Sequence, residues 1–278
     1  MKKIISLLFA IIITCGASFA KQGTEIKVIS YNIRTLARDG SNSWQFRKHA
    51  TANMLHRHAP DAFGLQEAMV AHLQYIDSVC PGYARVGVGR DDGKMRGEFM
   101  AIYYNKERFD LLDSGTFWLS ETPEKVSRGW DAACFRTATW VELKEKESGK
   151  KFYYFNTHFD HKGRVAQTES VKLIIDKIKE IAGKRATVVL SGDFNVEPGD
   201  SIFLPLEKFA LSTRTTAPIS DDKGTFNQFG KMKHKCILDH IFYRGKKVKC
   251  REYRTLDGNY GAPFISDHYP IETVLEIR

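Results

Sequence analysis

A set of carboxylate, amide and imidazole side chains stands beside short apolar runs in this sequence: Asn32, Glu67, His158, Asp193, Asn195, Asp239, Asp267 and His268. Carboxylate and amide oxygens are ligands for hard divalent cations, which usually keep several bound waters in proteins. An imidazole held by a carboxylate can accept a proton from water near neutral pH. These residue types together indicate metal-assisted hydrolysis.

Taken one at a time, the same residues have ordinary explanations. Asn32 suits a turn, and Glu67 precedes a predicted helix, whose dipole favours a carboxylate there. Asp193 follows a glycine and also suits a turn, and His158 fits a packed or surface position. Asp239 is harder to explain, because a carboxylate flanked by apolar residues is costly unless it is paired or bound to a metal.

The elements that must position these residues follow from apolar spacing. Predicted strands cover residues 26–31, 62–65, 83–89, 99–104, 109–118, 135–143, 152–157, 186–190, 236–243, 248–256 and 271–277. Predicted helices cover residues 46–58, 70–79 and 165–182. The core-facing residues of the first and last helix are expected to be Phe46, Ala50, Met54 and Leu55, and Val165, Val171, Ile174, Ile175, Ile178 and Ile181.

Strands outnumber helices and occur in runs, which indicates an α/β (α+β) fold. We expect a four-layer sandwich, in which two packed, mostly antiparallel sheets are flanked by helices. A doubly wound fold is the competing architecture. The chain has neither a Gly-x-Gly-x-x-Gly motif after a strand nor a Walker-type phosphate loop, so that alternative lacks its usual phosphate site.

The first twenty residues have the features of a secretory signal. Lys2 and Lys3 precede an apolar run, and small residues end at Ala20. Residues 21–278 then form a single predicted domain with no transmembrane segment, and we expect a periplasmic or secreted protein. Lipidation at Cys15 is the less favoured alternative, because Thr14 is a poor match to a lipoprotein cleavage site.

Charge and cysteine content add weaker constraints. The formal net charge of +9 suits an anionic substrate, although it fits solubility equally well. The remaining cysteines are Cys80, Cys134, Cys236 and Cys250, for which several disulfide pairings are open. No Cys-x-x-Cys pair is present. Cys134 and Cys236 lie in apolar, strand-like runs and are expected to be buried thiols with no catalytic role.

Six segments, in this order, resemble motifs of the endonuclease/exonuclease/phosphatase family. They are Ser30-Tyr31-Asn32, Leu65-Gln66-Glu67, Thr157-His158, Ser191-Gly192-Asp193-Phe194-Asn195, Leu238-Asp239-His240-Ile241 and Ser266-Asp267-His268-Tyr269-Pro270. The family includes pancreatic-type deoxyribonucleases and abasic-site endonucleases. Loops around Trp118 and Trp130 further resemble a bacterial exported branch of the family.

The resemblance implies a role for each matching residue. Glu67 would be the principal ligand of Mg²⁺ or Mn²⁺, helped by Asn32 and Asp267. His268, oriented by Asp239, would activate or position the attacking water, and Asp193 would contact that water or the phosphate. His158 and Asn195 would donate hydrogen bonds to the phosphate oxygens.

Two further residues are candidates for substrate binding. Arg90 is expected either to reach a substrate phosphate or to pair with Asp91 or Glu98. Trp118 is expected either to line the cleft or to be packed.

The resemblance implies a reaction type more firmly than a substrate. We expect a metal-dependent phosphodiesterase acting on nucleic acid or another diester, with no obligate protein partner. A phosphatase or phosphodiesterase for small sugar, inositol or lipid head-group phosphates is the alternative, and an inactive binding module is a third.

Overall fold

A computed structural model describes residues 23–278, so the predicted signal peptide and Cys15 lie outside the described residues. The strands and α-helices of the described part are, in chain order, β1 (Thr24–Asn32), α1 (Trp44–His58), β2 (Ala62–Gln66), α2 (Val70–Val79), β3 (Tyr83–Val86), β4 (Ile102–Asn105), β5 (Phe109–Trp118), β6 (Thr137–Glu145), β7 (Lys151–His158), α3 (Arg164–Ile181), β8 (Val188–Asp193), α4 (Leu204–Phe209), β9 (Leu211–Ser212), α5 (Thr213–Thr216), β10 (Asp239–Arg244), β11 (Val248–Thr255) and β12 (Ile271–Ile277).

The strands form two six-stranded sheets. Their orders are β11-β12-β1-β2-β4-β3 and β5-β6-β7-β8-β10-β9. Near the centre of each sheet one pair is parallel, β1 with β2 and β7 with β8. The other neighbouring strands pair antiparallel. The prediction of two mostly antiparallel sheets is therefore confirmed.

Three apolar clusters hold four layers together. The first lies between the sheets and includes Val28, Tyr154 and Val189. The second packs α1 and α2 on the first sheet, and the third packs α3 and α4 on the second. Strand β1 contributes to two of these clusters, since Val28 faces the other sheet while Ile29 faces the helices. It is therefore covered by other layers on both of its faces.

Polar side chains join the two sheets at the end where β2 and β8 finish. The Asn156 amide donates to the Leu65 and Ala101 carbonyls at 2.8 and 3.1 Å. Gln66 Nε2 in turn donates to Asn156 Oδ1 at 2.6 Å. Gly64 leaves room for this arrangement, because a Cβ there would lie 2.5 Å from Asn156 Cγ.

Two predicted core positions are wrong. Phe46 is 65% exposed and Val165 is 52% exposed. The buried faces instead include Arg47 in α1 and Gln167 in α3. Arg47 donates to the carbonyls of Ile33 and Ile265. An apolar pattern does not identify a polar side chain that is buried because it donates hydrogen bonds to carbonyl groups. The prediction therefore placed the buried faces of α1 and α3 incorrectly near the start of each helix.

The cysteines also correct one expectation. All four in the described residues are free thiols, and Cys80, Cys236 and Cys250 are buried. Cys134, which was expected to be buried, is partly exposed. Burial raises the pKa of the Cys236 thiol to about 11, and nearby Glu197 adds to the effect. Among residues 23–278, none of the helices combines the length and apolarity needed to cross a bilayer.

Candidate active site

Strand register brings the predicted site residues to one edge of the sandwich. In the first sheet, Asn32 pairs with Gln66, which places Glu67 immediately beyond the strand end. In the second sheet, His158 and Asp239 both pair with Asp193, one from each side. The two sheets meet at this edge, because Asn32 Nδ2 donates to Asp193 Oδ2 at 2.9 Å.

These strand ends open on a cavity of about 430 Å³. Its lining residues are Arg34, Thr35, Glu67, Arg90, Glu98, Cys134, Arg136, His158, His161, Asp193, Asn195, Phe226, Leu238, Asp267 and His268. Asn32 and Asp239 are not among them, but each is hydrogen-bonded to a lining residue. Trp118 lies outside the lining and is 6% exposed, with Nε1 donating to the Arg90 carbonyl at 2.8 Å.

Glu67 is held by the chain that follows β1. Its Oε2 accepts from the Thr35 backbone N–H at 2.8 Å, and its Oε1 accepts from Asn32 Nδ2 at 3.1 Å. Glu67 has φ +59° and Asn195 has φ +50°. A left-handed backbone at non-glycine residues is strained, and such strain is typical of functional sites whose surroundings impose it.

His268 is locked between two carboxylates. Its Nδ1 lies 2.8 Å from Asp239 Oδ2, and its Nε2 lies 3.7 Å from Asp193 Oδ2. A carboxylate only accepts, so Nδ1 carries the proton and donates it to Asp239. The opposite nitrogen therefore faces Asp193 and the cavity.

Burial and charge act in opposition on this pair. Burial alone would lower the pKa of His268, but the carboxylates of Asp239 and Asp193 raise it above its ordinary value. Burial raises the pKa of Asp193, and Asp239 adds to the rise against His268 and Asn32. Two interacting groups of this kind titrate as a unit.

His158 and Asn195 form a second polar unit. Asn195 Nδ2 lies 3.1 Å from both His158 Nε2 and the Phe159 carbonyl. Gln167 Nε2 donates to the Asn195 carbonyl at 3.2 Å, so the buried face of α3 supports this loop. Since the amide donates to Nε2, the imidazole proton sits on Nδ1, which has no hydrogen-bond partner among the described residues.

His158 is kept neutral by its surroundings. Burial lowers its pKa well below the ordinary histidine value, and the charges of Arg136 and Arg90 lower it further. A neutral imidazole whose Nδ1–H points to no protein group is a donor ready for an anionic oxygen. The expected contact between His158 and a phosphate stays a prediction.

Arg90 makes the ion pairs that were one of the two expectations for it. Its Nη1 donates to Glu98 Oε2 at 2.5 Å, and its Nε lies 3.7 Å from Asp91 Oδ1. The residue nevertheless lines the cavity. The guanidinium is therefore held in place by acidic neighbours at the wall of the site.

Sequence reasoning missed Arg34 and Arg136. Arg34 Nη1 lies 3.5 Å from Asp267 Oδ2, and Arg136 is 5% exposed at the cavity wall. Arg34 lies two residues beyond Asn32, and this closeness to a predicted site residue was a signal that could have identified it. Arg136 gave only a weak signal, as a single cation in an apolar run, because its importance depends on what the fold places around it.

Oxygen donors at the Asn32 end of the cavity fit a hard cation. Burial raises the pKa of Asp267, and the negative charge of Glu67 adds to the rise against His268 and Arg34. Neighbouring carboxylates that repel each other are stabilised by a divalent cation, and all-oxygen ligation suits Mg²⁺ or Mn²⁺. Asp193, Asp239 and His268 also place three ligand atoms within 4.8 Å of one another.

A second group with this spacing consists of Cys134, Asp160 and His161. The Asp160 carboxylate already accepts from the backbone N–H groups of Cys134, Lys162 and Gly163. Burial alone would raise the pKa of Asp160, but these backbone donors and Arg136 lower it to about 2. Asp160 therefore organises its loop, and the adjacent guanidinium disfavours a cation there.

Comparisons with known proteins agree with the fold. The Endonuclease/Exonuclease/phosphatase family matches residues 29–268. The chain therefore belongs to this family, whose members are divalent-metal-dependent phosphoester hydrolases.

Solved structures cover nearly all of the chain. An endonuclease/exonuclease/phosphatase of Bacteroides vulgatus is 36% identical, with a TM-score of 0.87, covering 92% of this chain and 100% of that one. A mannosyl-6-phosphatase of Bacteroides thetaiotaomicron is 35% identical, with a TM-score of 0.84, covering 90% and 99%. The tyrosyl-DNA phosphodiesterase 2 of Danio rerio is 20% identical with a TM-score of 0.72, covering 91% and 99%, which shows the fold alone.

Proposed function

We propose that this protein hydrolyses phosphate esters with Mg²⁺ or Mn²⁺ held by Glu67, Asn32 and Asp267. The observation that carries the proposal is the position of His268, held by Asp239 at 2.8 Å and facing Asp193, in the same cavity as His158 and Asn195. Acid–base groups thus stand opposite donors for an anion. In-line attack of water on phosphorus requires both.

The side chains divide the chemistry between them. The Asp193–His268 pair accepts a proton from the attacking water as its oxygen bonds to phosphorus, and Asp239 keeps His268 oriented. His158 Nδ1 donates to a non-bridging oxygen, whose negative charge grows in the transition state, and the Asn195 amide holds His158 in the tautomer that carries this proton. The ester P–O bond breaks, and the departing oxygen takes up a proton from solvent, while the Asp193–His268 pair later releases the proton it accepted. A bound divalent cation supplies further positive charge to the phosphate.

The substrate has two candidate classes. The sequence analysis favoured a phosphodiester, and the formal net charge of +9 suits an anionic substrate of either class. The 35% identity with a mannosyl-6-phosphatase over 90% of this chain supports a small sugar phosphate instead. The cavity of about 430 Å³ is within the size range of small-molecule sites.

We also propose that the protein is exported to the periplasm or secreted. The support for this is the positive start, apolar run and small residues of positions 1–20. Mass spectrometry of the protein purified from its cell envelope and medium would test it. A mature chain beginning near residue 21 is expected, whereas an uncleaved chain in the cytoplasm would contradict the proposal.

The activity is tested with purified mature protein, with Mg²⁺ or with chelator. The substrates are an aryl monophosphate, a bis-aryl phosphate, inositol phosphates and plasmid DNA. Asp193→Ala should abolish turnover of whichever substrate reacts, whereas Asp176→Asn, on the exposed face of α3, should not. Turnover that survives both chelation and Asp193→Ala would overturn the proposed function.

A further inference from the structure

Three residues that line the cavity carry buried polar atoms without a hydrogen-bond partner. Among residues 23–278, seven buried side-chain nitrogen or oxygen atoms have no hydrogen-bond partner. Three of these, Arg136 Nη1, Arg90 Nε and His158 Nδ1, belong to residues that line the same cavity. Buried donors in folded proteins are almost always satisfied. These three N–H groups are therefore the donors that an anionic ligand in this cavity would satisfy.

The Arg136 side chain is buried and held in place by its neighbours. Its side chain is 5% exposed, its Nε lies 3.4 Å from Asp160 Oδ1, and its Nη2 lies 3.2 Å from His161 Nδ1. The Asp160 carboxylate is shared with three backbone N–H groups. The charge of Arg136 is thus only partly balanced, and Nη1 is left for another acceptor.

Arg90 is oriented in a similar way. Glu98 binds its Nη1, Trp118 binds its backbone carbonyl, and its Nε has no partner in the described residues. Both guanidinium groups are close enough to His158 to disfavour its protonation. The two arginines line the same cavity as the histidine that the proposed function assigns to the phosphate.

We propose that Arg136, together with Arg90, binds the phosphate of the substrate and selects a phosphate monoester over a diester. This inference rests on the proposed function. A monoester has three non-bridging oxygens and close to two negative charges near neutral pH, whereas a diester has two such oxygens and one charge. The His158 N–H serves an oxygen that both esters have, and guanidinium N–H groups suit the third oxygen and the additional charge that only the monoester has.

The ratio between two substrates tests this selection. Arg136→Gln should lower kcat/KM for an aryl monophosphate about 10- to 100-fold, as expected for a lost hydrogen bond to a charged group. For a bis-aryl phosphate the loss should stay below about 5-fold, because that substrate lacks the third anionic oxygen. Arg136→Lys should recover part of the monoester activity, since lysine restores the positive charge but lacks the planar set of N–H donors of a guanidinium. Arg108→Gln, an ion-paired arginine away from the cavity, is the matched control.

Thiol labelling gives a readout that does not need turnover. Cys134 is partly exposed and lines the cavity, whereas the other cysteines of the described residues are buried. Inorganic phosphate should slow the alkylation of Cys134 by iodoacetamide in the unchanged protein but not in Arg136→Gln. Peptide mass spectrometry identifies the labelled cysteine, and thermal unfolding shows whether each variant is folded.

The outcomes separate this inference from the proposed function. Turnover of both substrates, with equal losses in Arg136→Gln, would overturn the selection while leaving the hydrolase intact. A wild-type protein that hydrolyses the diester faster than the monoester would likewise overturn the selection and leave the hydrolase intact. If none of the substrates is hydrolysed, the proposed function fails. The labelling experiment tests the inference separately, and phosphate protection of Cys134 that is independent of Arg136 would overturn it.

Discussion

His268 Nδ1 lies 2.8 Å from Asp239 Oδ2, and both side chains are almost completely buried. This hydrogen bond determines which imidazole nitrogen faces the cavity. A carboxylate can only accept a hydrogen bond, so the nitrogen next to Asp239 must be the one that carries the proton. The acid–base chemistry proposed for the site depends on that orientation.

Asp239→Asn should therefore impair the chemical step. An amide can donate to Nδ1, which would favour the imidazole tautomer with its proton on Nε2, where it cannot accept one from water. We expect kcat to fall at least about 100-fold with KM within about 3-fold, by analogy with other carboxylate–histidine pairs. Steady-state kinetics on the reacting aryl phosphate measures both constants. An unchanged kcat would show that this pair has no part in catalysis.

Glu67→Gln tests the cation site. The amide keeps the size of the side chain but removes the charge that a divalent cation requires, so the Mg²⁺ concentration giving half-maximal activity should rise at least about 10-fold. Chelator should abolish the activity of the unchanged protein, and Mg²⁺ or Mn²⁺ should restore it. Titration of activity against metal measures the shift. The control is Asp77→Asn, since Asp77 lies on α2 outside the cavity lining. Equal metal requirements in both variants would remove Glu67 from the site.

His72 should make folding sensitive to acid. Burial, together with the charge of nearby Arg47, lowers its pKa to about 3, while its Nδ1 accepts from the Met69 backbone N–H at 2.9 Å. Its pKa in the unfolded chain is about 6.5. Between pH 6.5 and about 3 the unfolded state binds the proton and the folded state does not. Stability is thus present above pH 6.5 and is lost as the pH falls, by up to about 1.4 kcal/mol per pH unit from this group.

Urea unfolding across that pH range measures the effect. His72→Asn keeps an acceptor for Met69 but cannot take up a proton, so its free energy of unfolding should decline less steeply with acid than that of the unchanged protein. The exposed His234→Asn should retain the full slope. Identical slopes in all three proteins would contradict this account.

Gly64→Ala should loosen the contact between the sheets near the site. Its Cβ would lie 2.5 Å from Asn156 Cγ and 2.6 Å from Tyr154 Oη, so a buried hydrogen-bond network must shift. We expect a loss of about 1–3 kcal/mol in the free energy of unfolding, as for other overpacked sites. Gly82→Ala is the matched control, because a Cβ at Gly82 meets no atom within 4 Å. Denaturant unfolding of both variants decides, and equal stabilities would show that the sheets adjust without strain.

Local patterns predicted the elements that form the frame. Helix α2 and strand β5 begin and end at the expected residues, because apolar spacing and turn residues act over a few neighbours. Predictions were weaker where a polar residue took a buried position, as Arg47 and Gln167 do in place of Phe46 and Val165. Such a residue is stabilised by acceptors from distant segments, which a local pattern does not contain.

The sequence by itself determined the family, the two-sheet architecture and the set of polar residues at strand ends, since these follow from short motifs and their order. Only the tertiary structure decided that Asp193 meets Asn32, His158, Asp239 and His268 at one edge. It also decided that Trp118 supports Arg90 from outside the cavity and that Arg136 keeps a free donor. The physical reason is that hydrogen bonds and charge interactions depend on distances between side chains far apart in the chain. Those distances exist only after the two sheets pack.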